Sequence, residues 1–230
     1  MAQIKIEEIT GLPLFEGINA QDCAALTECL GCRVRQYKKD AHILLDGEMN
    51  GNAGIVIDGM IHMYKEDIWG SRFLLSFLKR GDILGESFAL SRDGSAAQNS
   101  ITFVCDTPSR VLFLPVGRIL HPCTHSCPFH HQLAENMYNM ISTKNRNLMK
   151  KIEVMSRTGL RDKILTFLSL EAQRQGSPIF RLPLNRTEMA EYLSVNRSAM
   201  SRELSLLRKE GILDYDRDRF FLHTHRKEEE

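Results

Sequence analysis

The chain has 230 residues, of which 43% are hydrophobic and 26% charged, with a formal net charge of +1. This length is large for one domain and suits two modest ones. No apolar run approaches the roughly 18 residues of a membrane span, and the first residues lack the basic and apolar stretches of a secretory signal. We therefore expect a cytoplasmic protein whose six cysteines are reduced thiols.

The small net charge hides an uneven distribution of charged residues. Residues 157–227 contain fourteen Lys and Arg against nine Asp and Glu, whereas residues 1–156 contain sixteen against seventeen. A cationic surplus in the C-terminal third indicates where a polyanionic partner would bind.

A short helix is predicted near the N-terminus, followed by a region of strands. Asn19 can cap a helix whose apolar positions recur at helical spacing, at Cys23, Leu26 and Leu30. From about residue 33 to residue 116, short runs rich in Ile, Leu, Val and Phe alternate with glycines. This pattern is typical of an all-β sandwich or barrel with many turns.

A single long helix is predicted from Pro128 to Met155. Proline suits the first turn of a helix, and apolar residues then recur every three, four or seven positions. They form a seam of Leu133, Met137, Met140, Ile141, Leu148, Ile152 and Met155. A parallel second copy would cover such a seam along its whole length. Asn145 lies on or beside the seam, either as a solvated flank residue or as a polar contact that fixes the register.

Two shorter helices with a tight turn are predicted near the C-terminus. Asn185 and Glu188 have the spacing of a capping box, which begins a helix that runs to about Leu193. Three residues separate it from a second helix, which Asn196 caps and which runs to about Lys209. Apolar residues would face inward, namely Met189, Ala190, Leu193, Val195, Met200, Leu204 and Leu207. With the two short apolar runs that follow, this pattern predicts a helix-turn-helix and a β-hairpin wing.

Polar side chains would face outward near the start of the second of these helices. They are Arg197, Ser198, Ser201, Arg202 and Glu203. A guanidinium can donate twice to guanine in the major groove, and capped helix N-termini can donate to phosphates. The candidate DNA-binding residues are therefore Asn185, Thr187, Asn196, Arg197, Ser198, Ser201 and Arg202. A solvated basic face is the alternative interpretation of the arginines.

Two motifs carry a resemblance to a known family. Residues 186–213, RTEMAEYLSVNRSAMSRELSLLRKEGIL, closely resemble the helix-turn-helix of the Crp/Fnr family of bacterial transcription regulators. Residues 78–87, LKRGDILGES, resemble the glycine-rich segment of that family's cyclic-nucleotide-binding-type β-roll.

The resemblance implies an α+β chain in three parts. They are an effector-sensing double-stranded β-helix (a jelly-roll-like β-roll) over residues 1–119, a linker and dimerisation helix over 120–156, and a winged helix-turn-helix domain over 157–230. The implied function is that of a homodimeric, non-enzymatic transcription regulator. It would bind a double-stranded DNA operator, and RNA polymerase if it is an activator, with no membrane partner. The alternative is a redox-active or ligand-binding β-roll protein without specific DNA binding.

The family's base-contacting positions fall on Arg197, Ser198, Ser201 and Arg202. Arg202 matches the arginine of the family, whereas Ser198 replaces a glutamate that selects a C·G pair in its best-known branches. We therefore expect a two-fold operator whose half-sites contain a guanine read by Arg202, with weaker selection under Ser198. The half-sites would lie about one helical turn, roughly 34 Å, apart.

The resemblance also indicates where an effector would bind. Members that bind cyclic AMP hold its phosphate with an arginine and a serine and its ribose with a glutamate. This chain keeps the glutamate as Glu86 but has Asn99 and Ser100 at the other two positions. A buried phosphate would then lack its charge-assisted partner, so cyclic AMP is not the expected ligand. The candidate effector residues are Gly85, Glu86, Ser87, Asn99, Ser100 and Asn145.

A cluster of cysteines and histidines, ILHPCTHSCPFHHQL at residues 119–133, overlaps the start of the long helix. Cys127 directly precedes Pro128, so the helix N-terminus would stabilise its thiolate. Cys123, Cys127 and His130 could bind zinc or ferrous iron, or the two cysteines could close a reversible disulfide. An ordinary helix start is the alternative, because Cys-x3-Cys is no established zinc signature.

Three N-terminal cysteines superficially resemble the iron–sulfur ligands of the Fnr branch. However, the spacing of Cys23, Cys29 and Cys32 is reversed relative to that branch, and residues six apart point to different faces of a helix. We therefore expect these three, and Cys105 on its strand, to be buried thiols that pack as small apolar groups.

Overall fold

The computed structural model describes residues 5–44, 49–70, 72–89, 97–98, 100–120 and 128–223. The chain divides into two compact units, Met1–Arg146 and Asn147–Glu230. One long helix, α4 (Pro128–Met155), contributes residues to both units. The helix has the bounds that the sequence predicts. The three-part division of the chain at residues 119 and 156 stays a prediction.

The N-terminal unit begins with α1 (Ile6–Ile9), a 3-10 turn at Pro13–Phe15, and α2 (Ala20–Leu30). The Asn19 side chain accepts a hydrogen bond from the Asp22 backbone N–H at 2.9 Å, so the predicted cap of α2 is confirmed.

Strands follow α2 over the predicted range. They are β1 (Arg33–Tyr37), β2 (His42–Leu44), β3 (Met49–Asn50), β4 (Asn52–Asp58), β5 (Ile61–Glu66), β6 (Arg72–Leu78), β7 (Ile83–Leu84), β8 (Ala97–Gln98), β9 (Thr102–Cys105) and β10 (Ser109–Pro115). Antiparallel pairing gives two four-stranded sheets, β1-β10-β4-β7 and β2-β9-β5-β6, and the pair β3-β8. The predicted all-β region is confirmed.

The turn between β4 and β5 shows why one of the punctuating glycines is needed. Gly59 has a φ of 94°, in the left-handed region that other residues avoid. A Cβ atom at this position would lie 2.2 Å from the Ser109 Oγ atom, so the approach of β10 to this turn leaves no room for a side chain.

The predicted single seam of α4 is wrong in one respect, because its residues lie on two faces. Leu133, Met137 and Met140 are buried in the core of the N-terminal unit, together with α2 and the β1-β10-β4-β7 sheet. Ile141 and Ile152 are instead 39% and 66% exposed. At 3.6 residues per turn, Ile141 and Ile152 lie on average about a quarter of a turn around the helix from the three buried residues.

The C-terminal unit is helical with a small sheet. A short helix, α3 (Val116–Leu120), lies in the first unit and precedes α4. After α4, the elements of the C-terminal unit are α5 (Leu160–Gln175), β11 (Ile179–Arg181), α6 (Arg186–Leu193), α7 (Arg197–Lys209), β12 (Leu213–Asp216) and β13 (Arg219–Leu222). Strands pair in the order β11-β13-β12, so the predicted two-stranded wing gains a third strand. Among the described residues, no helix combines the length and apolar composition needed to cross a membrane.

Candidate nucleic-acid interface and effector site

Asparagine caps begin both helices of the C-terminal helix pair. The Asn185 side chain accepts hydrogen bonds from the Thr187 and Glu188 N–H groups at 2.9 and 3.1 Å, and Glu188 Oε2 accepts from the Asn185 N–H at 2.7 Å. The Asn196 side chain accepts from the Ser198 and Ala199 N–H groups at 2.9 and 3.1 Å. The predicted capping box is therefore confirmed, and both helix starts are fixed in place.

Helix α7 divides into an apolar face and a polar face. Met200, Leu204 and Leu207 are buried, as predicted, against the rest of the C-terminal unit. The predicted base-contacting residues Arg197, Ser198, Ser201 and Arg202 are all exposed, and their spacing places them on one face of the helix. Of the other candidates, Asn185, Thr187 and Asn196 are exposed as well. The apolar face holds α7 while the polar face stays accessible to a partner.

Glu203 does not belong to this polar face, contrary to the sequence prediction. Its side chain is only 19% exposed and lies 3.4 Å from Arg161 Nη1 of α5. Arg161 also pairs with Glu210, which lowers the pKa of that carboxyl. These ion pairs hold α7 against α5, so the Glu203 carboxylate already has a partner within the protein.

An arginine that the sequence analysis did not single out supports the wing. The Arg186 guanidinium at the start of α6 lies 4.6 Å from the Tyr215 ring centroid and 4.8 Å from that of Phe220. Burial lowers the pKa of Arg186. Arg208 of α7 is 2.7 Å from Asp214 and 5.4 Å from the Tyr215 ring centroid. The aromatic residues of β12 and β13 were the sequence feature that could have indicated these arginine contacts, since aromatic rings favour stacking with guanidinium groups.

The glutamate predicted to hold an effector is engaged by the protein itself. Gly85, with φ of 72°, leads into a 3-10 turn over Glu86–Phe88. The Glu86 carboxylate accepts hydrogen bonds from Lys144 Nζ of α4 at 2.8 and 3.0 Å, and its side chain is 5% exposed. Lys144 Nζ also donates to the Ile83 carbonyl at 3.2 Å, and the Ser87 hydroxyl donates to Glu86 at 3.2 Å. Glu86 is thus the buried half of an ion pair.

Of the remaining effector candidates, the two that the structure describes, Ser100 and Asn145, form no hydrogen bond or ion pair with Glu86. Asn99 lies outside the described residues. Ser100 is exposed, and its carbonyl accepts a hydrogen bond from Lys65 Nζ at 2.8 Å. Asn145 is exposed on α4, and as the residue after Lys144 it is rotated by about 100° around the helix from it.

A cavity of about 540 Å³ lies elsewhere in the N-terminal unit. Its lining includes Arg33, Arg35 and Arg118 with the ring of Phe113, and Arg35 lies 5.6 Å from that ring centroid. None of the predicted effector residues is among the described residues that line it.

Of the three residues predicted to form a metal or thiol site, only His130 lies within the described residues. Cys123 and Cys127 lie outside the described residues. His130 lies in the first turn of α4, where its side chain is buried. Within the part of the chain that the structure describes, its Nδ1 atom has no hydrogen-bond partner.

The N-terminal cysteines follow the expectation of buried thiols except at one position. Cys23 and Cys105 are buried and Cys32 is partly buried. Burial raises the pKa of the Cys23 thiol to about 11 and that of Cys32 to about 12. Cys29 is exposed, so its predicted burial is wrong. Cys29 comes six positions after Cys23, which places it on a different face of α2.

Comparisons with known proteins agree with this architecture. The family described as cyclic nucleotide-binding domain matches residues 34–124, and the Crp-like helix-turn-helix domain family matches residues 162–227. The cyclic AMP receptor protein of Thermus thermophilus is 22% identical over 204 residues, which cover 88% of each chain.

Solved structures show the same fold at low sequence identity. FixK2 from Bradyrhizobium japonicum is 22% identical, with a TM-score of 0.62 over 85% of this chain and 94% of that one. A CooA variant from Carboxydothermus hydrogenoformans is 18% identical, with a TM-score of 0.70 over 99% of this chain and 95% of that one. A β-roll, a long helix and a Crp-like helix-turn-helix therefore occur here in the same order as in these proteins. The chain belongs to the Crp/Fnr family of transcription regulators.

Proposed function

We propose that the chain is a cytoplasmic, non-enzymatic regulator that binds a specific DNA operator as a homodimer. The observation that supports this most strongly is the division of α7 into a buried apolar face and an exposed face of Arg197, Ser198, Ser201 and Arg202. A helix held from one side, with two cations and two hydroxyls on the other, can enter the major groove without rearranging its own core.

Arg202 is the proposed reader of a guanine in each half-site. Its Nε atom lies 3.4 Å from the Ser198 carbonyl, which orients the exposed guanidinium along the helix. Ser198 and Ser201 add donors and acceptors that several bases satisfy, so they select less strongly. Asn185, Thr187 and Asn196 mark the helix N-termini that would meet phosphates and set the register on the duplex.

A second copy of the chain is the proposed partner of the exposed face of α4. Four large apolar side chains of this helix are exposed by 39% to 71%, namely Tyr138, Ile141, Met149 and Ile152. Together with Asn145 and Leu148, positions 138, 141, 145, 148 and 152 alternate steps of three and four, the repeat of a two-stranded coiled coil. Asn145 would lie within this interface and favour one register.

The signal is proposed to be something other than cyclic AMP. Glu86, the residue that would hold a ribose, already has Lys144 as its partner, and Asn99 and Ser100 supply no cation for the phosphate. A nucleotide would therefore have to displace an ion pair and bind without a charged partner of its own. Gly85, Ser87 and Asn145 stay candidate contacts for an effector of other chemistry.

A metal or thiol switch at Cys123, Cys127 and His130 is the second candidate for the signal. It is favoured by the buried His130 ring, whose Nδ1 atom has no partner within the described residues. Elemental analysis and thiol titration of protein purified without oxygen, compared with the Cys123→Ser/Cys127→Ser variant, test it. Absence of metal, with DNA binding unchanged by oxidation in both proteins, would exclude this switch.

Selection of duplexes from a randomised library by the full-length protein tests the proposed function. The proposal predicts a two-fold sequence with a guanine in each half-site, half-sites about 34 Å apart, and affinity that falls steeply with salt. Enrichment of no sequence would contradict it and favour a β-roll protein without specific DNA binding. RNA polymerase would be a further partner if the regulator activates transcription.

Sedimentation of the Ile152→Glu variant tests the dimer. We expect a monomer, because the substitution places a charge in the seam, whereas Ile179→Glu, at an exposed isoleucine of β11, should stay dimeric. Equal sedimentation of both variants with the wild type would place the dimer interface elsewhere.

A further inference from the structure

One buried lysine of α4 contacts the helix-turn-helix within the C-terminal unit. The Lys151 side chain is buried, and its Nζ atom donates a hydrogen bond to the Tyr192 carbonyl at 2.6 Å. The same Nζ atom lies 3.6 Å from the centroid of the Tyr192 ring. Lys151 therefore contacts both the main chain and the side chain of one residue of α6.

The carbonyl that Lys151 reaches lies at the end of α6, where helical carbonyls lose their regular partners. The Ala190 and Glu191 carbonyls accept from the Val195 and Ser194 N–H groups, each at 3.0 Å. Lys151 supplies a donor to the next carbonyl, that of Tyr192. A cation at this end of a helix also interacts favourably with the helix dipole.

The ring of Tyr192 is held in place by a second aromatic residue, which fixes the position of the face that Lys151 contacts. It lies against Phe167 of α5, with 5.1 Å between the ring centroids. An ammonium above an aromatic face is attracted to its π electrons, most strongly where water is excluded. Burial lowers the pKa of Lys151 to about 7. The ring and the carbonyl oppose this change, because both interact favourably with an ammonium group.

This contact lies immediately before the turn that leads into α7. Ser194 turns the chain with a φ of 52°, and Asn196 caps α7 two residues later. Only three residues separate Tyr192 from that cap, so a displacement of Tyr192 moves the start of α7.

We propose that Lys151 is a positioning residue for DNA recognition, which ties the exposed face of α7 to the C-terminal end of α4 through Tyr192. A shift or rotation of α4 would then be carried to the base-reading side chains through this contact. This inference rests on the proposed function and adds the residue through which the helix and the reading face are coupled.

The main test compares Lys151→Met with Lys150→Met. Lys150 is the adjacent, exposed lysine on the same helix, so its substitution removes a charge from α4 without removing the buried contact with Tyr192. For the duplex selected by the wild type, we expect Lys151→Met to bind about fivefold to tenfold more weakly. Its affinity for a random-sequence duplex and its folded fraction should stay unchanged, so the ratio of the two affinities falls. Lys150→Met should retain the wild-type ratio.

Two further variants separate positioning from simple structural loss. Lys151→Arg keeps a buried cation and a donor, so it should restore much of the ratio. Tyr192→Phe keeps the ring and the carbonyl and should bind like the wild type, whereas Tyr192→Leu should resemble Lys151→Met.

Hydrogen exchange at the amides of Ser194 and Val195 supplies a readout that needs no DNA. We expect faster exchange in Lys151→Met than in Lys150→Met. Equal exchange and equal affinity ratios in these two variants would overturn the proposal, as would a parallel loss of specific and random-sequence binding with unfolding. Failure of the wild type to select any duplex would refute the proposed function, while the exchange comparison would still decide the role of the contact.

Discussion

The polar face of α7 and the turn at Glu86 use their polar side chains in opposite ways. Arg197 and Arg202 extend into solvent, with the apolar core of the unit beneath them. Glu86 is buried and its carboxylate is fully engaged by Lys144. Both regions match family motifs, but only the first keeps its charged groups available to an external partner. A matching residue therefore indicates where a site lies, and its contacts determine whether a ligand can use it.

The difference has an energetic reason. An exposed guanidinium stays hydrated, so it destabilises the folded state little and its hydrogen-bond donors remain available to a ligand. A desolvated carboxylate must have a partner of opposite charge, and the protein is strongly destabilised if only one of the two is removed. Substitutions in α7 should consequently affect DNA binding, and substitutions at Glu86 should affect stability.

The largest expected effect is on the stability of the N-terminal unit. Glu86→Gln should lower the free energy of unfolding by about 2 to 3 kcal/mol, because it leaves Lys144 as a largely buried, unpaired cation. Glu66→Gln is the control, since the Glu66–Arg72 pair at 3.1 Å is exposed and should contribute less than about 1 kcal/mol. Denaturant unfolding measures both. Equal losses in the two variants would mean that burial does not distinguish these pairs.

A double variant sharpens the same comparison. Glu86→Gln with Lys144→Met removes both charges, so it should be more stable than Glu86→Gln alone. Additive losses from the two substitutions would show that the groups do not interact.

A pH-dependent effect is expected from Lys151 in the C-terminal unit. Burial lowers its pKa from 10.5 to about 7 in the folded state. Between these values the unfolded chain binds a proton that the folded chain does not, so the free energy of unfolding rises with pH by at most about 1.4 kcal/mol per unit. Below about pH 7 both states are protonated and this contribution is constant. The rise should be present in the wild type and absent in Lys151→Met; parallel pH profiles would be inconsistent with it.

The smallest expected effect concerns the start of α7. Asn196→Ala should lower the free energy of unfolding of the C-terminal unit by about 1 kcal/mol, because two backbone N–H groups lose their acceptor. Ser201→Ala on the exposed face should change it by less than about 0.5 kcal/mol. Chemical denaturation compares the two. A Ser201→Ala loss as large as that of Asn196→Ala would argue that the exposed face supports the fold.

Local sequence patterns predicted the elements of the C-terminal unit well. Caps, helical periodicity and turn length depend on neighbouring residues, so Asn185, Glu188 and Asn196 identified both helix starts. The bounds of α4 followed from Pro128 and the apolar spacing for the same reason.

Contacts between distant segments were not predictable in this way. The apolar spacing of α4 does not indicate that Lys144 pairs with Glu86 or that Lys151 contacts Tyr192. Their partners are 58 and 41 residues away along the chain, beyond the reach of periodicity. The same limit explains why Glu203 was assigned to the exposed face and why the apolar residues of α4 were assigned to a single seam.

The most direct test of the account is the binding of Arg202→Ala to the duplex selected by the wild type, measured across salt concentrations. Arg202→Ala should bind that duplex about tenfold more weakly and lose its preference for guanine, with thermal stability unchanged. Lys209→Ala, at the exposed end of α7, should keep the preference. If Arg202→Ala binds with unchanged affinity and sequence preference, the exposed face of α7 does not read DNA and the central claim is contradicted.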